Sequence, residues 1–187
     1  MEFHGSAEST AIDIAATREV LERHGGSGFV QTTDEAERRR LWQARHDTSL
    51  ACRSLVKNAK NFATDVCVPI SRLSDCIEET QADLDASKLF GPIIGHVGDG
   101  NFHVVLSVDP EDHQMVERME QFHTRLVERA LAMEGTCTGE HGIGMGKIDY
   151  LVDELGNEAV GVMATIKKAL DPNRIMNPGK IIAETFF

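Results

Sequence analysis

The sharp turn at Asp99-Gly100 constrains the fold of this chain more than any other part of the sequence. It lies in the segment Ile94-Gly-His-Val-Gly-Asp-Gly-Asn-Phe-His-Val-Val, where apolar and β-branched residues flank the dipeptide on both sides. Asp-Gly is favoured at the centre of a two-residue hairpin loop because both positions need positive φ. The segment therefore predicts an antiparallel hairpin, and with it a fold that contains a sheet.

Two histidines face each other in the predicted hairpin. If Asp99 and Gly100 form the loop, counting outward along both strands pairs His96 with His103, with Cβ atoms about 5 Å apart. Two imidazoles at that distance can share one metal ion. The alternative is that both are polar residues satisfied by neighbours at a sheet surface, and the turn alone leaves the two interpretations open.

Composition limits the class of protein and its partners. The chain has 187 residues, 41% of them hydrophobic, which is enough to bury a real core. Its formal net charge of −11 argues against a nucleic-acid partner, because phosphate binding requires clustered Lys and Arg. The cysteines have no C-x-x-C spacing, which fits a reducing compartment better than a disulfide framework. We expect no targeting or membrane-spanning segment in this chain.

Hydrophobic periodicity predicts an α+β fold. The first half of the chain predicts strand-like residues 1–5, a helix over Glu8–His24, strand-like residues 28–33, a charged helix from Asp34 to about Val56 and a strand over Asn61–Val68. A helix capped by Ser71 and then the hairpin follow. The last part predicts a helix opened by Asp109-Pro110-Glu111-Asp112, with proline at its first position, and helical segments over 147–155 and 157–170. Strands cease beyond Gly135. We therefore expect two parts, residues 1–134 and residues 135–187.

A glycine-rich loop supplies the second group of chemically active residues. Residues 135–147 include five glycines, and Glu140 stands beside His141 among them. A phosphate-binding loop is excluded because Gly-x-x-x-x-Gly-Lys does not fit here, whereas a long flexible connector stays open. His96, His103 and Glu140 together form a two-imidazole, one-carboxylate set that leaves a coordination position free. His141 would then be available as a proton acceptor.

Six segments of the chain together resemble one known family. They are Glu2-Phe-His-Gly-Ser, Leu41-Trp-Gln-Ala-Arg-His, Thr64-Asp-Val-Cys-Val-Pro-Ile-Ser-Arg-Leu, Gly95-His-Val-Gly-Asp-Gly-Asn-Phe-His, Gly135-Thr-Cys-Thr-Gly-Glu-His-Gly-Ile-Gly-Met-Gly-Lys and Leu170-Asp-Pro-Asn-Arg-Ile-Met-Asn-Pro-Gly-Lys. The chain resembles the FAD-linked D-2-hydroxyacid dehydrogenases of the vanillyl-alcohol-oxidase type, and most closely the cytochrome-linked D-lactate dehydrogenases. The resemblance concerns only the C-terminal part of that family.

The resemblance implies roles for individual residues. His96, His103 and Glu140 look like the family's ligands for a divalent metal, zinc or manganese, that grips the substrate's carboxylate and 2-hydroxyl. His141 looks like its catalytic base. Arg45 occupies the position of an arginine that pairs with a substrate carboxylate, for which the alternative is a helix-surface arginine. Asn177 resembles a residue of the tail that returns toward the flavin, for which the alternative is an ordinary turn asparagine.

The resemblance also implies a fold and a substrate class. Residues 1–134 would be part of the substrate or cap domain, an antiparallel sheet covered on one side by helices, and residues 135–187 would return to an FAD domain that this chain lacks. The related 2-hydroxyglutarate enzymes carry lysine and asparagine where this chain has Ala63 and Val105. These apolar departures favour a small 2-hydroxy acid over a dicarboxylate.

The implied activity is FAD-dependent oxidation of a 2-hydroxy acid such as D-lactate to a 2-oxo acid, with an acceptor such as cytochrome c. FAD would be held mostly by the missing N-terminal domain, so we expect this fragment alone to be inactive. The compartment is mitochondrial or cytoplasmic, and a homodimer stays open. Two alternatives remain: a metal-dependent hydrolase, and an inactive truncated fragment.

Overall fold

The structure, a computed structural model, describes residues 1–54, 56 and 58–187 and divides into two compact units. The first unit comprises Met1–His46 and the second comprises Asp47–Phe187. The boundary that the sequence predicts between residues 134 and 135 lies inside the second unit and stays a prediction.

Helices form the first unit. Helix α1 spans Ala7–Arg23, and its cap is Ser6, whose side chain accepts a hydrogen bond from the backbone of Ser9. Helix α2 spans Glu35–Arg53, and residue 55 of the longer predicted helix lies outside the described residues. Both strands predicted here, over 1–5 and 28–33, are wrong, because a strand needs a hydrogen-bonded neighbour and neither segment pairs with a described strand.

Strand β4 is the centre of the sheet in the second unit. The strands are β1 (Lys60–Ala63), β2 (Val66–Cys67), β3 (Ile93–His96) and β4 (Asn101–Val108), and the other three all pair antiparallel with β4. The single strand predicted over Asn61–Val68 is interrupted at Thr64 and Asp65. There the Thr64 hydroxyl accepts the hydrogen bond of the Val104 backbone N–H at 2.8 Å, so a side chain takes the place of a ladder partner.

The hairpin forms as expected, but its register differs by two residues. His96 pairs with Asn101, and His103 pairs with Ile94. The loop therefore contains four residues, Val97 to Gly100, and only Gly100 adopts positive φ, 77°. Because side chains alternate across a strand, a shift of two residues leaves both histidines on the same face of the sheet.

Two helices cover the other face of the sheet. Helix α3 spans Ile70–Ser87 and helix α4 spans His113–Ala132. The core residues they bury with β4 include Phe102, Val104, Leu106, Leu84, Phe122, Leu126 and Val127. This arrangement confirms the predicted α+β class, with an antiparallel sheet covered by helices.

Two predicted helix starts are wrong. Helix α3 begins directly after Pro69 without a side-chain cap, so Ser71 lies inside its first turn. Helix α4 is capped by Asp112, whose carboxylate accepts from the Met115 backbone N–H at 2.9 Å. Pro110 belongs to the preceding turn, which the Asp109 carboxylate closes by accepting from the backbone of Glu111.

The C-terminal helical segment has a break in its middle. Helix α5 spans Ile148–Leu170, but Gly156 has non-helical angles, φ 79° and ψ 161°, so two helical stretches meet there as the sequence predicts. A short 3₁₀ turn, Glu184–Phe186, follows. Leu151, Val160, Ala164 and Ile182 form a small second core. None of the helices in the described part of the chain is long and apolar enough to cross a bilayer.

Candidate metal centre

His103 lies on the face of β4 that the helices leave open. Its Nδ1 is 2.9 Å from the Thr64 carbonyl oxygen, and its side chain is 11% exposed. A carbonyl can only accept, so Nδ1 carries a hydrogen, and in the neutral tautomer the lone pair lies on Nε2. This is how a partner fixes the tautomer of a metal-binding histidine.

Glu140 comes from the glycine-rich loop and meets this lone pair. Its Oε1 is 3.0 Å from His103 Nε2 and 3.8 Å from His96 Nε2. Within the described residues, His103 Nε2 is nevertheless buried without a hydrogen-bond partner. In the neutral tautomer these two atoms are both acceptors and repel each other, whereas a cation coordinated by both removes the repulsion. With the imidazole protonated, the same 3.0 Å contact is an ion pair. The donor atoms of His96, His103 and Glu140 all lie within 4.8 Å of one another.

His141 stands at the edge of the same cluster. Its ring stacks on His103 with centroids 4.9 Å apart and planes 10° apart, and its Nε2 is 3.5 Å from Glu140 Oε1. Its side chain is 47% exposed, so a solute can reach it. The structure thus places the predicted base beside the three predicted ligands, although its role stays a prediction.

Asp65 organises the loop that carries these residues. Its carboxylate is 1% exposed and accepts hydrogen bonds from the Thr138 hydroxyl at 2.7 Å and from the backbone N–H groups of Gly139, Glu140 and His141 at 2.9, 3.1 and 3.0 Å. Burial by itself would raise the pKa of Asp65, but these hydrogen bonds outweigh it and lower the pKa to about 2. The sequence analysis assigned Asp65 no role, although an acidic residue inside an apolar strand pattern marks a position that core packing alone does not explain.

The far end of the loop is also tied down. The Lys147 ammonium donates to the Asp65 backbone oxygen at 2.6 Å and lies 3.5 Å from its carboxylate. The Glu154 carboxylate of α5 accepts from the Thr136 hydroxyl and from the backbone of Cys137 at 3.0 and 2.8 Å. A long flexible connector, the alternative for this segment, would lack such anchors.

The loop also packs closely against β4. A Cβ atom at Gly139 would lie 2.4 Å from Asn101 Oδ1, so a larger residue there would force the buried Asn101 side chain to move. Asn101 is the strand partner of His96, and its Oδ1 is buried with no hydrogen-bond partner among the described residues. Sequence reasoning did not single out Asn101.

A second set of possible ligands consists of Asp65, His103 and His141. Its donor atoms are already committed, because the Asp65 carboxylate accepts several hydrogen bonds and His103 Nδ1 binds Thr64. The set of His96, His103 and Glu140 retains free lone pairs and is the better candidate.

Two predicted site residues are not members of this cluster. Arg45 belongs to the first unit, where its guanidinium lies 5.5 Å from the centre of the Trp42 ring and lines a cavity of about 980 Å³. Asn177 is exposed in the tail beyond α5, with φ 46°. Asp171 holds that tail by accepting from the backbone of Ile175 and Met176. The roles predicted for Arg45 and Asn177 stay predictions.

The fold and the cluster define a mixed α+β domain with a candidate metal-ligand set on the sheet face opposite α3 and α4. Residues 1–181 match the family model described as FAD linked oxidases, C-terminal domain. The chain belongs to this family.

Similar proteins carry more specific names. The chain is 51% identical over 185 residues to the probable mitochondrial D-lactate dehydrogenase of Danio rerio, covering 99% of this chain and 37% of the relative. It is 41% identical to the mitochondrial D-lactate dehydrogenase [cytochrome] of Arabidopsis thaliana, covering 97% of this chain and 32% of the relative. The chain therefore spans about a third of the length of these relatives.

Solved structures also share the fold, and one example has a similar domain. It is the 4-ethylphenol oxidase from Gulosibacter chungangensis in an isoeugenol complex, with a TM-score of 0.54 and 20% sequence identity. The match covers 84% of this chain and 32% of the oxidase chain. At this identity the likeness supports the α+β cap architecture alone.

Proposed function

We propose that this chain is the C-terminal, substrate- and metal-binding part of an FAD-dependent D-2-hydroxyacid dehydrogenase that oxidises D-lactate or a similar small acid to the 2-oxo acid. Family membership and the names of the relatives support the reaction class. One observation supports the metal site: His103 Nε2 is buried and lies 3.0 Å from Glu140 Oε1, yet the two atoms do not form a hydrogen bond.

The donor set fits a divalent cation. His96, His103 and Glu140 would hold zinc or manganese, since imidazole and carboxylate suit both metals. When bound, the cation would polarise the substrate's 2-hydroxyl, while FAD, held mostly by the rest of the protein, would accept the hydride. Half-exposed His96 and Glu140 leave the cluster open to a substrate on one side.

His141 would act as the proton acceptor. Its side chain lies at the exposed edge of the cluster, and its backbone is fixed by Asp65, so the imidazole can reach a hydroxyl of a substrate bound there. Taking the hydroxyl proton raises the electron density on C2 and thereby assists loss of hydride from that carbon.

The sheet face that carries His103 favours a small substrate. Ala63 pairs with Val105 across β1 and β4, and Val105 lies two residues beyond His103, so all three residues share one face. By the resemblance, these two apolar residues replace the polar partners of a second carboxylate. A dicarboxylate would leave its charge unpaired there, whereas D-lactate would not.

The partners follow from the same relatives. D-Lactate would be the substrate and cytochrome c or a similar carrier the electron acceptor, in agreement with the names of the matched enzymes. Those enzymes are named as mitochondrial, which accords with the expected mitochondrial or cytoplasmic compartment. Arg45 would pair with the substrate carboxylate, and Asn177 would approach the flavin.

A chimeric enzyme tests the proposal. This chain would replace the matching region of the Danio rerio relative, and D-lactate-dependent reduction of a dye would be measured with FAD bound. We expect turnover that falls by two or more orders of magnitude in Glu140→Gln and stays unchanged in Asp75→Asn, an exposed acid on α3. D-2-Hydroxyglutarate should be a poor substrate.

A folded, FAD-loaded chimera without activity on any small D-2-hydroxy acid would refute the proposal. The 187 residues alone should not oxidise D-lactate, because the proposal assigns most of the contacts with FAD to the rest of the protein. Metal-dependent cleavage of esters or amides by the isolated chain would instead favour the hydrolase.

A further inference from the structure

We propose that Asp65 and Lys147 are the positioning residues of the metal centre, through which the glycine-rich loop presents Glu140 and His141 to the histidines of the sheet. This inference rests on the proposed function. Neither residue needs to contact metal or substrate; each acts on the backbone that carries the residues that do.

The first argument is the convergence of donors on one carboxylate. The N–H groups of three successive residues, 139 to 141, point at Asp65 within 3.1 Å, and the Thr138 hydroxyl is the fourth donor. A run of backbone N–H groups around an anion forms a concave nest, which fixes the local chain direction. Because this segment has neither helix nor strand, the nest is what determines where the Glu140 and His141 side chains start.

The second argument is that residues 64 and 65 govern both halves of the centre. The Thr64 carbonyl fixes the tautomer of His103, the ligand on the sheet. Its neighbour Asp65 fixes the backbone of Glu140, the ligand on the loop. The break between β1 and β2 thus brings the two ligands into register, and it explains why the strand is interrupted at this point.

The third argument is charge. A buried carboxylate is costly without a cation, and Lys147 is the cation that contacts Asp65, with its side chain only 10% exposed. The pKa of Lys147 is lowered by burial, which the nearby Asp65 carboxylate partly opposes. Its bond to the Asp65 backbone oxygen closes the loop between residues 138 and 147.

The experiment measures Zn²⁺ and Mn²⁺ binding to the full 187-residue chain by calorimetry, together with backbone hydrogen exchange of residues 138–141 in metal-free protein. Asp65→Asn should weaken metal binding roughly 10–100-fold, the usual cost of losing a residue that orients a ligand. It should also raise exchange at residues 139–141. Lys147→Met should weaken binding by a smaller factor, and Lys147→Arg should restore most of it.

The matched control is Asp83→Asn. Asp83 is another largely buried acid, with its side chain 11% exposed, but it pairs with Arg125 and Arg129 of α4 and not with the loop. A purely structural role predicts that both substitutions lower the melting temperature and alter the metal Kd alike. Positioning predicts that Asp83→Asn lowers the melting temperature and leaves the metal Kd unchanged.

Each result decides one question. Wild-type metal affinity in a folded Asp65→Asn variant overturns the role of Asp65. If the wild-type chain binds neither metal, the proposed metal site fails. The exchange data alone then decide the inference, and unchanged protection of residues 139–141 in Asp65→Asn overturns it. If Asp65→Asn does not fold, Thr138→Val replaces it, with an expected loss of about threefold in metal affinity and the same overturning outcome.

Discussion

His103 contributes most to the candidate metal centre at the scale of single residues. One ring nitrogen contacts the Thr64 carbonyl, and the other is buried and has no hydrogen-bond partner in the part of the chain that the structure describes. His96 and Glu140 are more exposed, so they can rotate away from the cluster in the absence of metal. The three ligands are therefore not equivalent, although each supplies one donor atom.

Substitution of these ligands gives the first prediction. His103→Ala should abolish measurable Zn²⁺ or Mn²⁺ binding, and His96→Ala and Glu140→Gln should each weaken it by at least roughly 10–100-fold. His113→Ala, at the exposed start of α4, is the matched control and should bind metal like the wild type. Calorimetric titration provides the measurement. Equal affinities across all four variants would show that the metal binds elsewhere.

An ion-pair cluster joins helices α3 and α4. Asp83 of α3 binds Arg125 and Arg129 of α4 at 2.7 and 3.0 Å. Burial alone would raise the pKa of Asp83, but the hydrogen bonds from both arginines more than offset this and the pKa is lowered. The charged carboxylate is therefore the form that stabilises the helix pair.

This shift predicts an acid-sensitive contribution to stability. Because the folded pKa lies below the unfolded value of about 3.9, the contribution is complete above that value and is lost as the pH falls through the folded pKa. Asp83→Asn should reduce the free energy of unfolding by roughly 1–3 kcal/mol at pH 7. In urea unfolding, the difference from wild type should shrink below about pH 4. A difference that stays constant down to pH 2 would contradict this assignment.

Gly156 interrupts helix α5, so replacing it with alanine should destabilise the protein, the reverse of the usual effect within a helix. Alanine normally stabilises a helix relative to glycine by roughly 0.5–1 kcal/mol. At φ 79° and ψ 161°, however, a Cβ atom is strained, so Gly156→Ala should cost roughly 1–3 kcal/mol. Gly161→Ala, where an added Cβ meets nothing within 4 Å, should stabilise instead. Thermal unfolding measures both, and a rise in melting temperature for Gly156→Ala would rule out the break.

An exposed apolar stripe on α5 bears on how the whole molecule associates. Val162, Ile166 and Leu170 follow one another at four-residue spacing in the helical stretch after Gly156, and all three are exposed. Exposed apolar surface of this kind drives association. The sequence left a homodimer open, and this stripe is the surface on which a second copy or another part of the full-length protein would pack.

Self-association of the isolated chain is therefore expected. Light scattering should report dimers or larger species, and Val162→Glu together with Ile166→Glu should shift the chain toward monomer because two charges interrupt the stripe. Asp75→Asn, an exposed acid on α3 and therefore outside the stripe, should have no such effect. A wild-type chain that stays monomeric at all concentrations would refute the expectation.

Local patterns were sufficient to predict most helices and the hairpin. Helix α1 matches its prediction within one residue at each end, because Ser6 caps its start and Gly25-Gly26 follow its end. The starts of α3 and α4 were misplaced because several residues could serve as caps, and only the packing of each helix selects among them. The strand-like ends of the first unit failed because alternation alone does not supply a partner strand.

The candidate site divides in the same way. The sequence by itself determined which residues have metal-binding chemistry, and the face of the sheet on which His96 and His103 stand, because a strand's period of two survives a register shift of two. Only the tertiary structure decided that Glu140 reaches them and that Asp65 and Lys147 direct the loop. The reason is distance along the chain: the hydrogen bonds that fold the loop join residues more than 70 positions apart, and no local pattern encodes such a contact.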